Sequence, residues 1–291
     1  MNTVLRCRDR ELSLEVPRVM GILNITPDSF SDGGRLMGRA DEAVWTLPDI
    51  DKVLRTGQAM LEAGASILDV GGESTRPGAQ PVPAGRECER VIPVVEALRR
   101  LDTIVSVDTS SPLVAREAIA AGAHLINDVR ALQAPGMIDA VIESDVAVCV
   151  MHMLGDPRTM QECPHYEDVL LEVRTFLAER VRRCRTAGIA SERIAVDPGF
   201  GFGKTLDHNL ELLRRLPELT ADDALTGLPV LVGLSRKGMI GLVTDLPLEE
   251  RDPPSAVAAA LAMTNGARIV RAHNVGQTCA ALKIVRALGL A

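Results

Sequence analysis

The chain alternates between short apolar runs and longer stretches in which apolar residues recur every three or four positions. The first run, at 19–23, is continuous and is followed by Asn24 and a loop of turn-forming residues, which is typical of a buried strand in a parallel sheet. The stretch 50–63 has the helical period and stops at Gly64. This strand-and-helix unit then repeats as far as the end of the chain.

The repetition predicts eight strands and eight helices. The predicted strands are 19–25, 66–70, 103–107, 124–126, 147–151, 193–196, 229–233 and 267–270. The predicted helices are 50–63, 85–101, 112–121, 135–143, 166–187, 206–216, one within 255–265, and 277–288. This count predicts an α/β fold, a single (β/α)8 TIM barrel; the competing architecture, an open doubly wound sheet, rarely needs so many units.

Two strand-like runs around Arg8 and Arg10 precede the first barrel strand and predict a short N-terminal β-hairpin. We therefore divide the chain into residues 1–18, a hairpin that closes the bottom of the barrel, and residues 19–291, the barrel itself. The segment 35–50 is long for a strand-to-helix connection, and loops of this length are often lids or binding elements.

Composition excludes several classes of protein. The net charge of −7 and the lack of a basic stripe argue against nucleic-acid binding, and no apolar run is long enough to span a membrane. The six cysteines are scattered without a CxxC pair, and the N-terminal segment lacks the apolar run of a secretory leader. We expect reduced thiols and a cytoplasmic location.

Polar side chains close all eight predicted strands. In chain order these strand ends carry Asn24, Asp69, Asp108, Asn127, His152, Asp197, Ser235 and Arg271. One polar residue after a strand is more often a helix cap or turn former than a catalyst. Because the carboxyl ends of barrel strands share one rim, eight together predict a functional site there.

The strand-end residues divide by charge into acceptors and donors. Asp108, Asn127 and Asp197 offer oxygens that suit a planar heterocycle with several N–H groups, whereas a metal site, the alternative, would need His or Glu at ligand spacing. A donor-rich group that suits phosphate consists of Thr75, Arg76, Arg271 and His273. Lys237 lies between the two groups in the order around the rim.

The glycine-rich segment 197–205 resembles two nucleotide-binding motifs and fits neither. Pro198 stands where a Walker A loop requires Gly, and the spacing GxGxG is not the GxGxxG of dinucleotide folds. The alternative interpretation is a tight strand-to-helix turn in which the glycines permit positive φ. Three of the four phenylalanines, Phe30, Phe200 and Phe202, lie in glycine-rich loops, where ligand contact and loop anchoring are equally good explanations.

Five segments together resemble the bacterial dihydropteroate synthase family. They are MGILNITPDSFSDGG at 20–34, DVGGESTRPGA at 69–79, DPGFGFGKT at 197–205, GLSRK at 233–237, and the Arg-x-His at 271–273. The resemblance implies a pterin-binding barrel that condenses hydroxymethyl-dihydropterin pyrophosphate with p-aminobenzoate, giving dihydropteroate and pyrophosphate. It also implies Mg²⁺ and a homodimer formed through the last helices.

The resemblance assigns roles residue by residue. The pterin residues fall on Asp108, Asn127, Met151, Asp197, Phe202, Gly203 and Lys237, and the pyrophosphate residues on Thr75, Arg271 and His273. The p-aminobenzoate residues fall on Thr26, Phe30, Arg76, Pro77 and Gly238, and the Mg²⁺ ligand on Asn24. Asn24, Lys237, Arg271 and His273 are the expected catalytic residues.

The chain departs from the family pattern at three places. Gly238 stands where Ser is frequent, Asn274 where Asp is usual, and the segment 35–50 is longer than typical. Gly238 leaves only a backbone N–H for the benzoate carboxylate. Two alternatives share the pterin pocket: a corrinoid-dependent methyltransferase, which needs no pyrophosphate site, and a non-catalytic pterin-binding protein.

Overall fold

The computed structural model describes residues 4–26, 36–37, 47–74, 78, 80–156 and 159–290. The predicted site residues Phe30, Thr75, Arg76 and Pro77 lie outside this part of the chain, as does most of the long segment 35–50. The hairpin consists of β1 (Val4–Cys7) and β2 (Arg10–Ser13), which pair antiparallel.

Eight parallel strands form the barrel. They are β3 (Arg18–Asn24), β4 (Ile67–Gly71), β5 (Ile104–Asp108), β6 (Leu125–Asp128), β7 (Ala147–Met151), β8 (Ile194–Asp197), β9 (Leu231–Gly233) and β10 (Ile269–Ala272). Their order is β8-β7-β6-β5-β4-β3-β10-β9. The two ends of this order meet where Val196 pairs with Val230, so the barrel prediction is confirmed and the open doubly wound sheet is wrong.

Helices cover the outside of the barrel. They are α1 (Ile50–Glu62), α2 (Ala84–Leu98), α3 (Pro112–Ala121), α4 (Met137–Ile142), α5 (Val169–Thr186), α6 (Leu206–Arg214), α7 (Gly238–Thr244), α8 (Asp252–Thr264) and α9 (Val275–Ala287). Helix α7 has no counterpart in the prediction. Helix α5 begins after Asp168, whose side chain accepts a hydrogen bond from Leu171 N, and not at Tyr166 as predicted.

The core has two layers because strand side chains alternate between the two faces of the sheet. Outward residues of the strands pack against the helices, whereas inward residues at the strand starts, such as Met20 and Ile67, cluster with Leu5 and Leu12 of the hairpin. The hairpin therefore packs inside the end of the barrel where the strands begin. The carboxyl ends, at the opposite end, are left for polar side chains.

Among the described residues, no helix is both long enough and apolar enough to cross a membrane. All six cysteines fall in the described part of the chain and are free thiols.

Candidate active site

A cavity of about 630 Å³ opens at the carboxyl ends of the strands. The predicted site residues that line it are Asn24, Thr26, Asp108, Asn127, Met151, Asp197, Phe202, Lys237, Gly238, Arg271 and His273. Gly203 does not line it; its carbonyl accepts a hydrogen bond from the Tyr166 hydroxyl. The rim of the barrel thus brings into one cavity residues that lie as much as 249 positions apart, between Asn24 and His273.

Arg271 lies between two carboxylates. Its Nε donates to Asp69 Oδ2 at 2.6 Å and its Nη2 donates to Asp108 Oδ2 at 3.0 Å. The sequence assigned Arg271 and Asp108 to separate donor and acceptor groups, and the structure joins these groups through an ion pair. Asp69 is one of the eight predicted strand ends but receives no role from the sequence, because spacing does not show that it meets Arg271, 202 positions away.

Two buried carboxyl groups provide the acceptor side of the cavity. Burial raises the pKa of Asp108, and the guanidinium of Arg271 opposes this rise. Burial also raises the pKa of Asp197, against the opposing effects of Lys237 and of Gly199 N, which donates to Asp197 Oδ1 at 2.7 Å. Asn127 lies beside Asp108 in the paired register of β5 and β6. Asp108, Asn127 and Asp197 are the acceptor set expected from the sequence.

The side chain of Lys237 packs against the glycine-rich loop 197–205. Its Nζ donates to the carbonyl of Phe200 and lies 4.3 Å from the ring centroid of Phe202. Burial lowers the pKa of Lys237 to about 8, with Asp197 acting in the opposite direction. Phe200 is fully buried, so loop anchoring explains it, whereas Phe202 lines the cavity.

The glycines of this loop are required by backbone conformation. Gly199, Gly201 and Gly203 all have positive φ, between 64° and 78°. A Cβ at Gly199 would come within 1.8 Å of the His152 carbonyl oxygen. Asn209 holds the loop, since its Oδ1 accepts from Gly201 N at 2.7 Å. The tight-turn explanation of the GxGxG spacing is therefore confirmed.

Lys204 is a buried lysine that the sequence-based site did not include. Its Nζ lies 2.9 Å from His152 Nδ1 and donates to the carbonyls of Gly199 at 3.0 Å and Phe202 at 3.1 Å. Burial lowers the pKa of Lys204 to about 7 and that of His152 to about 2. The lowered pKa favours the neutral imidazole, whose Nδ1 can accept from Lys204. The signal in the sequence was the lysine that follows three alternating glycines, and it was considered only as part of a Walker A motif.

We predict that Lys204→Met changes how stability depends on pH. The folded pKa lies below the unfolded value of 10.5, so the unfolded chain binds more protons between about pH 7 and pH 10. Lys204 therefore makes the wild type gain stability as the pH rises through this window. Denaturant unfolding at pH 7 and pH 9 should show the wild type gaining about 2 kcal/mol relative to Lys204→Met. A pH-independent difference would mean that the three acceptors keep Lys204 charged.

His273 is held by a serine on the neighbouring strand end. Its Nδ1 lies 3.0 Å from Ser235 Oγ, which also accepts from His273 N at 3.1 Å. The side chain of Asn274, one of the departures from the family pattern, caps α9 through Gln277 N and donates to Asp252 Oδ2 at 3.2 Å. Asn274 thus has a structural role as a helix cap.

Gly238 is the first residue of α7 and lines the cavity. A Cβ built at Gly238 would meet no atom within 4 Å. The position therefore has room for the serine that the family often has, and its absence here leaves open space in the cavity wall.

Comparison with known proteins identifies the class. The family model described as pterin binding enzyme matches residues 20–273, which include the hydrogen-bonded strand ends described above. The fold and the site are those of a pterin-binding barrel enzyme.

Individual relatives narrow the class to one enzyme family. Dihydropteroate synthase of Escherichia coli K12 is 48% identical over 95% of this chain and 93% of its own, and that of Haemophilus influenzae is 47% identical over 97% and 98%. The crystal structure of Burkholderia cenocepacia dihydropteroate synthase with 7,8-dihydropteroate, 47% identical, covers 99% of this chain and 96% of its own with a TM-score of 0.87. The chain belongs to the dihydropteroate synthase family, a group of transferases.

Proposed function

We propose that this chain condenses 6-hydroxymethyl-7,8-dihydropterin pyrophosphate with p-aminobenzoate, giving 7,8-dihydropteroate and pyrophosphate. The observation that carries the proposal is the placement of largely buried carboxyl groups and a half-buried, doubly paired arginine in one cavity. Relatives are known with 7,8-dihydropteroate, in Burkholderia cenocepacia, and with 4-aminobenzoic acid, in Xanthomonas albilineans, which is 45% identical.

The pterin ring occupies the acceptor side in this proposal. Asp108, Asn127 and Asp197 accept its N–H groups, and Met151 and Phe202 give it apolar surface. Lys237 adds one donor next to Asp197. A buried acceptor that meets no donor is unfavourable, so this slot selects a ring with several N–H groups.

The pyrophosphate leaves toward Arg271 and His273, and by the family pattern Thr75 is a further donor. Breaking the C–O bond places growing negative charge on the departing oxygen, and a preorganised guanidinium stabilises such charge strongly. Electron density from the pterin ring stabilises the methylene carbon that remains. The aniline nitrogen then attacks this carbon and loses a proton, and because an aromatic amine is unprotonated at neutral pH, no general base is needed.

Mg²⁺ fits the donor chemistry of this rim. Asn24 ends β3 and lines the cavity, and its amide oxygen is the kind of ligand that Mg²⁺ takes while keeping waters and phosphate oxygens. Among the described residues, no three His, Cys, Asp or Glu side chains form a metal cluster. When bound, Mg²⁺ would neutralise charge on the phosphates.

The p-aminobenzoate lies above the pterin in the proposal, against Thr26, Phe202 and Gly238. Phe30, Arg76 and Pro77 complete this wall by the family pattern. Loop closure over the pair would exclude water, which competes with the amine as a nucleophile.

A pyrophosphate-release assay tests the function. Purified protein with the pterin pyrophosphate should release pyrophosphate together with dihydropteroate only when p-aminobenzoate is added. Methyl transfer from a methylated pterin to a corrinoid, without condensation, would support the methyltransferase alternative. Pterin binding by calorimetry without either reaction would support a non-catalytic binding protein.

We further propose a homodimer through α7, α8 and α9. Large apolar side chains that are at least half exposed are grouped on these helices and at the end of α9: Leu242, Val243, Val257, Leu261, Ile284 and Leu288. Val257 and Leu261 share one face of α8, and Leu288, the residue after α9, follows Ile284 by about one helical turn. A patch of this kind on a folded domain marks an interface, and a second copy is the partner expected here.

Charge placed on this patch should dissociate the dimer. The double substitution Val257→Glu and Ile284→Glu is expected to weaken association at least tenfold, because each buries a carboxylate in an apolar interface. Sedimentation velocity over a concentration series measures the shift. Leu113→Glu on α3, an exposed leucine outside the patch, is the matched control and should leave the dimer intact. A wild-type monomer at all concentrations would contradict the dimer.

We place the enzyme in the cytoplasm. Six free thiols, three of which are fully buried, are the usual state of cysteines in a reducing compartment. Cell fractionation with an antibody against the protein checks this.

A further inference from the structure

Asp69 is a fully buried carboxylate beneath the cavity, and it binds side chains from three other strands. Its Oδ1 accepts from Ser106 Oγ on β5 at 2.5 Å. Its Oδ2 accepts from Arg271 Nε on β10 at 2.6 Å and from Asn127 Nδ2 on β6 at 3.5 Å. Two of these three partners, Asn127 and Arg271, line the cavity, whereas Asp69 does not. Asp69 thus connects the acceptor and donor sides of the site from below.

The position of Asp69 follows from the alternation of β4. Ile67 points into the barrel and packs with the hairpin, so Asp69, two residues further along, also points inward, one layer nearer the cavity. A charge at such a position is strongly unfavourable unless it is paired and hydrogen-bonded. Both carboxylate oxygens of Asp69 are used, which explains how the barrel interior accommodates it.

The contact with Asp69 is the better buried of the two ion pairs of Arg271. The Asp69 side chain is 0% exposed and 2.6 Å away, whereas the Asp108 side chain is 11% exposed and 3.0 Å away. A guanidinium is planar, so fixing Nε and Nη2 fixes the plane of the group and the direction of Nη1. Asp108 is also an expected ligand of the pterin, so its bond to Arg271 is the one that a substrate competes with.

We propose that Asp69 is a positioning residue for Arg271. It keeps Nε in place while the Nη groups serve the departing pyrophosphate. Asp69 does not touch the substrate in this proposal. The proposal rests on the synthase function proposed above.

Asp69→Asn tests the proposal because the amide has the shape of the carboxylate but not its charge. We expect kcat for the condensation to fall by roughly 100-fold, the loss that a small misplacement of a catalytic group can cause. Binding of 6-hydroxymethyl-7,8-dihydropterin, which lacks the phosphates, should weaken less than threefold by calorimetry. An equal loss in kcat and in pterin binding would show a general distortion of the site and overturn the proposal.

A double-mutant cycle separates positioning from a structural role. If Asp69 acts through Arg271, Asp69→Asn should give no further loss of kcat in an Arg271→Ala background. Losses that multiply would show that Asp69 supports activity independently of Arg271 and would overturn the proposal. Wild-type protein without synthase activity would instead refute the proposed function, so the two failures are distinguishable.

Two further variants keep the test valid if Asp69→Asn does not fold. Ser106→Ala removes a hydrogen bond to Asp69 without leaving a charge unpaired; it should lower kcat about threefold, and only while Arg271 is present. Cys149→Ala changes another fully buried side chain that packs inside the barrel. It should leave kcat within twofold of the wild type, and a loss equal to that of Ser106→Ala would contradict the specific role of Asp69.

Discussion

Arg271→Ala is expected to lower the turnover of the condensation by about 10²- to 10³-fold, the loss found when one group that stabilises transition-state charge is removed. The expectation follows from the position of the guanidinium, which two carboxylates hold at the rim where the pyrophosphate departs. Binding of the pterin ring without phosphates should change much less, because Asp197 and Asn127 remain in place. Stopped-flow turnover and calorimetry with the unphosphorylated pterin measure the two effects separately.

A lysine substitution at Arg271 separates the effect of charge from that of the guanidinium shape. Arg271→Lys keeps a positive charge but cannot reach Asp69 and Asp108 together with a planar fork, so its turnover should lie between those of wild type and alanine variant. Arg271→Ala also leaves two carboxylates without their cation, and denaturant unfolding must show that the variant is folded before its kinetics are interpreted. If turnover and pterin affinity fall by the same factor, Arg271 is a binding residue and not the group that stabilises the leaving pyrophosphate.

The fold could be predicted because each buried strand is a continuous apolar run that ends at a polar residue. The polar ends themselves caused the errors at strand boundaries. Predicted strands stopped at 107, 126 and 196, whereas the ladder continues through Asp108, Asp128 and Asp197. Asp108 and Asp197 line the cavity and Asp128 binds the turn after β6, so a polar residue that looks like the end of a strand is still paired in the sheet.

The sequence predicts which residues belong to the site, but it does not predict which of them form hydrogen bonds with each other. A motif gives the residue types at a strand end, and the closed barrel then brings them to one rim. Which donor meets which acceptor depends on the side-chain layer across the barrel, as Asp69 and Arg271 show, and sequence spacing carries no information on it. Lys204 was missed for a related reason, since only the folded glycine-rich loop turns its carbonyls toward the lysine.

Asp128 and Asp197 are both buried aspartates at strand ends, but they differ in role. Asp128 follows Asn127 on β6 and is fully buried, but its carboxylate accepts from Ser110 Oγ at 2.5 Å, Arg130 N at 2.8 Å and Leu132 N at 2.8 Å. These bonds hold the turn after β6, where Ala131 and Leu132 have positive φ. Asp128 does not line the cavity, which makes it the matched comparison for Asp197.

We predict that Asp197→Asn weakens pterin binding by about 100-fold, with a smaller effect on the turnover of bound substrate. The amide can still accept from Gly199 N through its oxygen, so the loop is kept. Its NH₂ group then faces the N–H donors of the ring, and a buried donor opposite a donor destabilises the complex by about 3 kcal/mol. The loss of charge also removes a carboxylate whose charge favours protonated Lys237. Calorimetric titration with the pterin measures the affinity.

Asp128→Asn should behave in the opposite way. It should lower the free energy of unfolding by about 1–3 kcal/mol, because an amide cannot accept all three hydrogen bonds of the turn, and leave pterin affinity within a few-fold of the wild type. Both aspartates are buried at the ends of barrel strands, so the contrast tests whether cavity lining or burial decides the role. Unchanged pterin affinity in Asp197→Asn would remove Asp197 from the binding slot, and the acceptor side would then rest on Asp108 and Asn127 alone.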